Sequence, residues 1–259
     1  MLVKISKLFG VNWRKMGRSL VGLPKYWGDY NAYKKAAKNA EHAFPLKKLV
    51  PILSEYAEQS GVATGQYFHQ DIIVARRIYK NNPKRHLDLA SRVDGFVAHL
   101  AVFRHVDVAD IRPLETQEGN IDFLQSDFMA DDIVEKLGTS DSVSCLHAIE
   151  HFGLGRYGDP IDPDGHVKGL KNISRVVKKG GILYLSVPIG TQRVEFNGHR
   201  IFDVHTVVNI LGEDFEVKGF SYIDDKQNVH EDIDLFAPES KNNFGCRFGL
   251  GIYEMKRIA

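Results

Sequence analysis

Residues 170–190, LKNISRVVKKGGILYLSVPIG, decide the fold. Extended back to 165, the stretch places Val167, Leu170, Ile173, Val176 and Val177 three or four apart, with Lys168, Lys171, Arg175 and Lys178 between them. Apolar residues at that period line one face of a helix, predicted here over 165–178. Gly180 and Gly181 supply the turn that ends it, since glycine takes the left-handed conformation a helix C-terminus needs. The continuous apolar run that follows, Ile182–Val187, reads as a strand buried on both faces.

The same alternation runs outward from this pair. Strands are expected at His86–Ala90, His105–Ala109, Ile121–Gln125 and Ser142–Leu146, and helices at 94–103, 129–137 and 203–211. Strands separated by helices are joined by crossovers, so the sheet is parallel and covered on both faces. Phe215–Ile223 and Phe244–Met255 are long β-like runs joined by a polar stretch, which predicts a closing antiparallel pair. The expected architecture is a Rossmann-like α/β fold over 81–259, mostly parallel and seven-stranded, behind a basic helical extension over 1–80. Residues 30–80 read as helical, with a helix starting or breaking near Pro51 and another at 70–80 that Pro83 closes.

With 259 residues, 43% of them hydrophobic, the chain can bury a core without metal or disulfide staples. Cys145 and Cys246 sit inside apolar runs and read as free buried thiols of a reducing compartment. The net charge of +1 hides nine bases against one acid, Asp29, in residues 1–40. Apolar residues interleave with those bases, but no run approaches the roughly 20 residues that span a bilayer, and no signal-peptide cleavage site follows. Two readings of residues 1–25 stay open: a solvated helix docked on its own domain, or peripheral contact with an anionic membrane surface. The expected location is cytoplasmic, with the inner face of the membrane as the variant of that reading. No basic face with interleaved aromatics marks the sheet region, which argues against a nucleic-acid partner.

In such sheets ligands bind beyond the carboxyl ends of the strands. Asp110 follows Asp88 by 22 residues, the interval at which an acid reaches a ribose diol. Asp127 and Phe128 end the third strand with a carboxylate and an aromatic ring. His147, Glu150 and His151 spell H-x-x-E-H, but at a strand exit rather than on a helix, so zinc proteolysis is not the expected chemistry. His151 reads either as a general base at the pocket mouth or as a partner of a backbone carbonyl. The loop Asp159, Asp162, Asp164 fails the EF-hand spacing, and Asp164 is expected to cap the next helix. His199 and Arg200 follow the fifth strand, where Arg200 clamps an anion or pairs with Asp203 or Glu195. Tyr67, His69 and Gln70 read either as a lid or, for Tyr67 and Phe68, as core. No metal site is expected.

IEHFG at 149–153 with the 170–190 stretch resembles the class I S-adenosylmethionine (SAM) methyltransferases over about 84–259. GQYFHQD (65–71), SRVDGF (91–96), HFGLGRYGD (151–159) and FNGHRIF (196–202) are similar to a subgroup found in bacteria and nematodes that brings no assigned reaction. The resemblance implies that Asp88 and Ala90 border the methionine part of SAM, Asp110 takes the ribose, Asp127 and Phe128 the adenine, and the backbone after His147 closes the pocket. The family's first loop carries three glycines where this chain has Ala90, Arg92 and Asp94. Either Arg92 pairs with the methionine carboxylate while Asp94 caps the next helix, or the pocket no longer accepts SAM. The implied activity is methyl transfer to a hydroxyl or amine of a small molecule or glycan precursor, with His151 as first and His199 as second choice of base. The alternative is a methyltransferase-like binding or scaffold protein of membrane-associated glycan assembly.

Overall fold

The computed structural model describes residues 10, 12–56, 58–115 and 118–259. Most of the basic segment's beginning, including Lys4, Lys7 and the apolar residues up to Phe9, lies outside the described residues. The chain divides into two units, Met1–Val62 and Ala63–Ala259. The helix expected at 70–80 therefore groups with the sheet rather than with the N-terminal extension.

In the first unit, α1 (Trp13–Ala36) is capped by Asn12, whose Oδ1 accepts from the Lys15 N–H at 3.0 Å. Gly22 is the helix residue that lets the chain return against it: a Cβ there would lie 2.2 Å from the Leu53 carbonyl oxygen. The helix expected near Pro51 is absent. Residues 43–56 have no helical turn, because Pro45 and Pro51 each remove a backbone donor and force their predecessors to be extended.

The second unit opens with α2 (Gln66–Asn81), which buries Ile73, Val74 and Ile78 and stops at left-handed Asn82. There follow β1 (His86–Leu89), a π turn at Val93–Val97 running into α3 (Ala98–Ala101), β2 (Val106–Asp110), β3 (Ile121–Gln125), α4 (Ile133–Leu137), β4 (Ser140–Leu146), α5 (Gly165–Val176) and β5 (Val177–Ile189). A small hairpin, β6 (Arg193–Glu195) with β7 (His199–Ile201), leads through α6 (Thr206–Leu211) to β8 (Phe215–Ile223), β9 (Val229–His230) and β10 (Gly249–Arg257).

The main sheet runs β3-β2-β1-β4-β5-β10-β8-β9, parallel from β3 to β5 and antiparallel beyond. The predicted Rossmann-like architecture is present, and the two-residue β9 makes an eighth strand. One element ends early. α5 stops at Val176, and β4 pairs first with Val177 and next with Ile182, so the glycine pair forms a bulge inside β5 rather than the helix end. Gly180 takes φ +82 there, which is why glycine suits the position. One face of the sheet packs Leu87, Leu89, Val143 and Cys145 against α5; the other packs Val106, Val108 and Tyr184 against α2 and the π turn. Both cysteines are free and buried.

Candidate functional site

The carboxyl ends of β1, β2, β4 and β5 converge on a cavity of about 1070 Å³. Its walls include Tyr67, Ala90, Asp110, Asp127, His147 and His199.

β1 leaves the sheet through Ala90, which adopts φ +62 and donates its N–H to the Ala109 carbonyl at 2.8 Å. A side chain at left-handed φ is strained by roughly 1 kcal/mol or more, and here alanine stands where glycine is the unstrained residue. Asp88 does not border the cavity. It is fully buried, with Oδ2 accepting from the hydroxyls of Ser91 (2.8 Å) and Ser144 (2.5 Å) and Oδ1 from the Ser91 N–H (3.0 Å). Burial pushes its carboxyl up to about 7, against the pull of those hydrogen bonds. His86 adds to the network, its ring nitrogens 2.8 Å and 3.0 Å from the hydroxyls of Ser142 and Ser144, and burial holds its pKa down at about 3. Asp88 therefore ties β1 to β4 beneath the floor.

Arg92 does not fill the crevice. Its guanidinium makes two hydrogen bonds to Asp94, at 3.0 and 2.7 Å, and the two side chains are 66% and 73% exposed. Asp94 is thus engaged by Arg92 and makes no helix cap. Asp110 sits at the end of β2 with both oxygens occupied. Arg112 donates its backbone N–H and Nε to Oδ1 (2.8 and 3.0 Å) and Nη2 to Oδ2 (2.5 Å). The Arg112 guanidinium also lies 4.7 Å over the Tyr157 ring. Asp127 lines the cavity and accepts from the Met129 N–H at 2.9 Å. Phe128 lines the cavity beside Asp127 from a core position: its ring is 2% exposed and stacked on Phe152.

His147 ends β4 at φ +52, with its N–H on the Ser186 hydroxyl at 3.0 Å. Its ring stacks on Tyr67, centroids 4.4 Å apart, and its Nδ1 lies 2.7 Å from Glu150 Oε1. His147 Nε2 and Glu150 Oε2 are buried without a hydrogen-bond partner. His151 and Glu150 fall in a single 3₁₀ turn, not on the helix a zinc peptidase signature requires. The His151 Nδ1 lies 2.7 Å from the Gly198 carbonyl, so that nitrogen carries the proton, and burial lowers its pKa below the ordinary histidine range. Its Nε2 lies 3.6 Å from Glu150 Oε1. His199 reaches the same end of the cavity, 6.5 Å from the His151 ring and 3.3 Å from the Glu195 carboxylate. Tyr67 walls the site as a half-exposed ring rather than as core; Phe68, also exposed, does not line the cavity, and Gln70 accepts from Ser186.

Neither expectation for Arg200 holds. It is buried, and its guanidinium donates to the carbonyls of Glu150, Phe152, Asp162 and Pro163, stapling the loop that walls the site. Within that loop Asp159 accepts from the N–H groups of Gly153, Gly155 and Tyr157, and Asp162 binds Lys168 and the Asp164 N–H. Asp164 occupies the cap position of α5 but makes no side-chain cap. Sequence reading missed Arg112; a base two residues beyond a strand-end acid is the signal that pointed to it.

Ala90, Asp110 and Asp127 leave nucleoside-sized space between the strand tips, and Arg92, on its rim and paired with Asp94, does not fill it, so the residues present fit an adenosyl group. The fold is that of the class I SAM-dependent methyltransferases. The [4+2]-cyclase SpnF superposes with a TM-score of 0.53 at 13% identity, over 92% of this chain and 95% of that one. The N-methyltransferase NodS from Bradyrhizobium japonicum WM9, in complex with S-adenosylhomocysteine, gives 0.50 at 11% identity over 89% and 98%. The Burkholderia thailandensis 1,6-didemethyltoxoflavin-N1-methyltransferase, with its substrate and S-adenosylhomocysteine, gives 0.50 at 13% over 73% and 79%. No curated protein matches the sequence. A family match does cover residues 106–244, from β2 through the loop before β10 and including Asp110, Asp127, His147, His151 and His199: the chain belongs to the family described as Caenorhabditis protein of unknown function, DUF268.

Proposed function

We propose that the protein is a SAM-dependent methyltransferase acting on a hydroxyl or amine of a small molecule or glycan precursor. The observation that carries this reading is the open cavity at the strand tips, with a buried acid, Asp110, on one wall and basic nitrogens on the other. When bound, SAM supplies an electrophilic methyl on a sulfonium. Asp110 would bind the ribose hydroxyls once Arg112 yields an oxygen, and Asp127 would take the adenine edge. Methyl transfer needs in-line placement and, for a hydroxyl acceptor, removal of a proton. The base we favour is His147. Its Nδ1–H donates to Glu150, which orients the ring, and its Nε2 is left to accept. His151, neutral with Nδ1 committed to Gly198, is second, and His199 third. Isothermal titration with S-adenosylhomocysteine tests binding. Asp110→Ala should weaken it at least tenfold, and no heat at millimolar ligand would end the proposal. His147→Ala should lower kcat by about 10²-fold or more, with His151→Ala the milder variant.

A second reading is a methyltransferase-like protein that binds another ligand or serves as a scaffold of membrane-associated glycan assembly. The Arg112–Asp110 pair favours it, since the ribose acid is already satisfied, and SpnF is an instance of a cyclase on the same fold. Titration with S-adenosylhomocysteine separates the two readings.

A further inference from the structure

The first unit has almost no interior. Among its described residues Gly22 and Ser54 are buried, while Met16, Leu20, Val21, Leu23, Trp27, Phe44, Leu49, Val50 and Ile52 are exposed. A helix made for water shows its apolar residues inward; this one does the reverse. Ser19, Gly22, Tyr26 and Tyr30 form the covered side of α1, at spacings of three and four. Met16, Leu20, Leu23 and Trp27 form a neighbouring stripe at the same spacing, 46%, 67%, 40% and 47% exposed. Lys34, Lys35 and Lys38 crowd the C-terminal end of the stripe, whereas Arg14, Arg18 and Lys25 lie on the opposite face, where Arg18 pairs with Glu58 and Lys25 with Asp29. α1 carries six bases and the single acid Asp29, itself paired with Lys25.

We propose that this stripe docks α1 flat on an anionic lipid bilayer. Charge decides the occupant. A second copy of α1 would add six bases to six, with Asp29 on each helix already paired with Lys25 on the face away from the stripe, and Gly17 and Pro24 flank the stripe where a coiled coil needs charged helix formers. An anionic headgroup layer reverses the sign of that balance, and long basic side chains reach up to it while their stems stay apolar. No helix among the described residues is long and apolar enough to cross a membrane, which leaves surface contact as the mode. This inference rests on the first unit alone and does not depend on the methyltransferase reading.

Both tryptophans of the chain, Trp13 and Trp27, lie on α1, so intrinsic fluorescence reports this surface directly. The full chain is mixed with vesicles of phosphatidylcholine alone or with about half phosphatidylglycerol. We expect at least tenfold more co-sedimentation with the anionic vesicles, a blue shift of tryptophan emission, and loss of both in about 0.5 M salt, where the Debye length is a few ångströms. Met16→Glu with Leu20→Glu should abolish binding with thermal unfolding unchanged, as both side chains are exposed. Equal partition onto both vesicle types, no partition, or wild-type binding by the double variant overturns the proposal. So does a concentration-dependent dimer that the double variant dissolves, which would assign the stripe to a second copy.

Discussion

At the scale of single residues, the acids at the strand ends differ in kind. The sequence marks Asp88 and Asp110 alike, as carboxylates after apolar runs, and burial separates them. Asp88 lies under the floor with its carboxyl raised to about 7, while Asp110 borders the cavity. A raised acid holds its proton in the folded state while the unfolded chain has lost it. Stability is therefore drained as pH rises from about 4 to about 7, and the loss is complete above the folded pKa. His86 works in the opposite direction: depressed to about 3, it costs stability as pH falls below 6.5. With its pKa at about 3, folded His86 stays neutral from pH 4 to pH 8, so a comparison with Asp88→Asn over that range isolates the acid. Relative to wild type, Asp88→Asn should gain a few kcal/mol between pH 4 and pH 8, at roughly 1.4 kcal/mol for each tenfold difference in proton affinity between the folded and unfolded chain. Denaturant unfolding at the two pH values checks this; a constant difference would show that Asp88 titrates as an ordinary carboxyl. The pairing of Arg112 with Asp110 is half legible: the sequence sets a base two residues beyond a strand-end acid, which gives the side chain's reach but not which neighbour wins it.

At the scale of elements, periodicity locates nearly every strand of the sheet and the strongest helix, α5. It misplaces ends and short turns. The apolar spacing carries α5 two residues too far, because Val177 continues it into the strand, where it pairs with Ser140. The helix expected at 94–103 forms as a π turn, Val93–Val97, running into Ala98–Ala101, while that at 129–137 shrinks to Ile133–Leu137, since tertiary contacts rather than propensity fix the crossovers there. The loop 150–163 is the hardest to read. Its acids suggest ion binding, yet Asp159 is spent on backbone donors and Arg200 reaches across from β7 to four carbonyls. That staple makes a concrete prediction. Arg200→Met keeps volume but leaves buried carbonyls unpaired, so it should destabilise the protein by about 2–4 kcal/mol, at 1–3 kcal/mol for a stranded buried group. Thermal unfolding measures the loss. A shift within error of wild type would mean that the loop holds its shape without the arginine.

At the scale of the whole molecule, the strand order follows from alternation plus the antiparallel tail, and these are readable. The boundary between units is not. A basic, helical-looking run from 30 to 80 invites a single extension, but α2 buries Ile73, Val74 and Ile78 in the sheet's second core cluster, whereas α1 buries no large side chain. Apolar area removed from water is what makes folding cooperative, at about 25 cal/mol per Å². The unit Ala63–Ala259 contains both core clusters and every strand of the main sheet, so it holds essentially all of that driving force. A chain beginning at Ala63 should therefore unfold in one cooperative transition within a few degrees of the full protein, and should retain whatever nucleoside affinity the full protein has. Residues 10–62 alone, with Gly22 and Ser54 as their buried positions, should melt without a sharp transition. Calorimetry of the three chains decides the matter: a large loss of stability on removing residues 1–62 would mean that the first unit supplies packing to the second, and the two could no longer be treated as energetically separate.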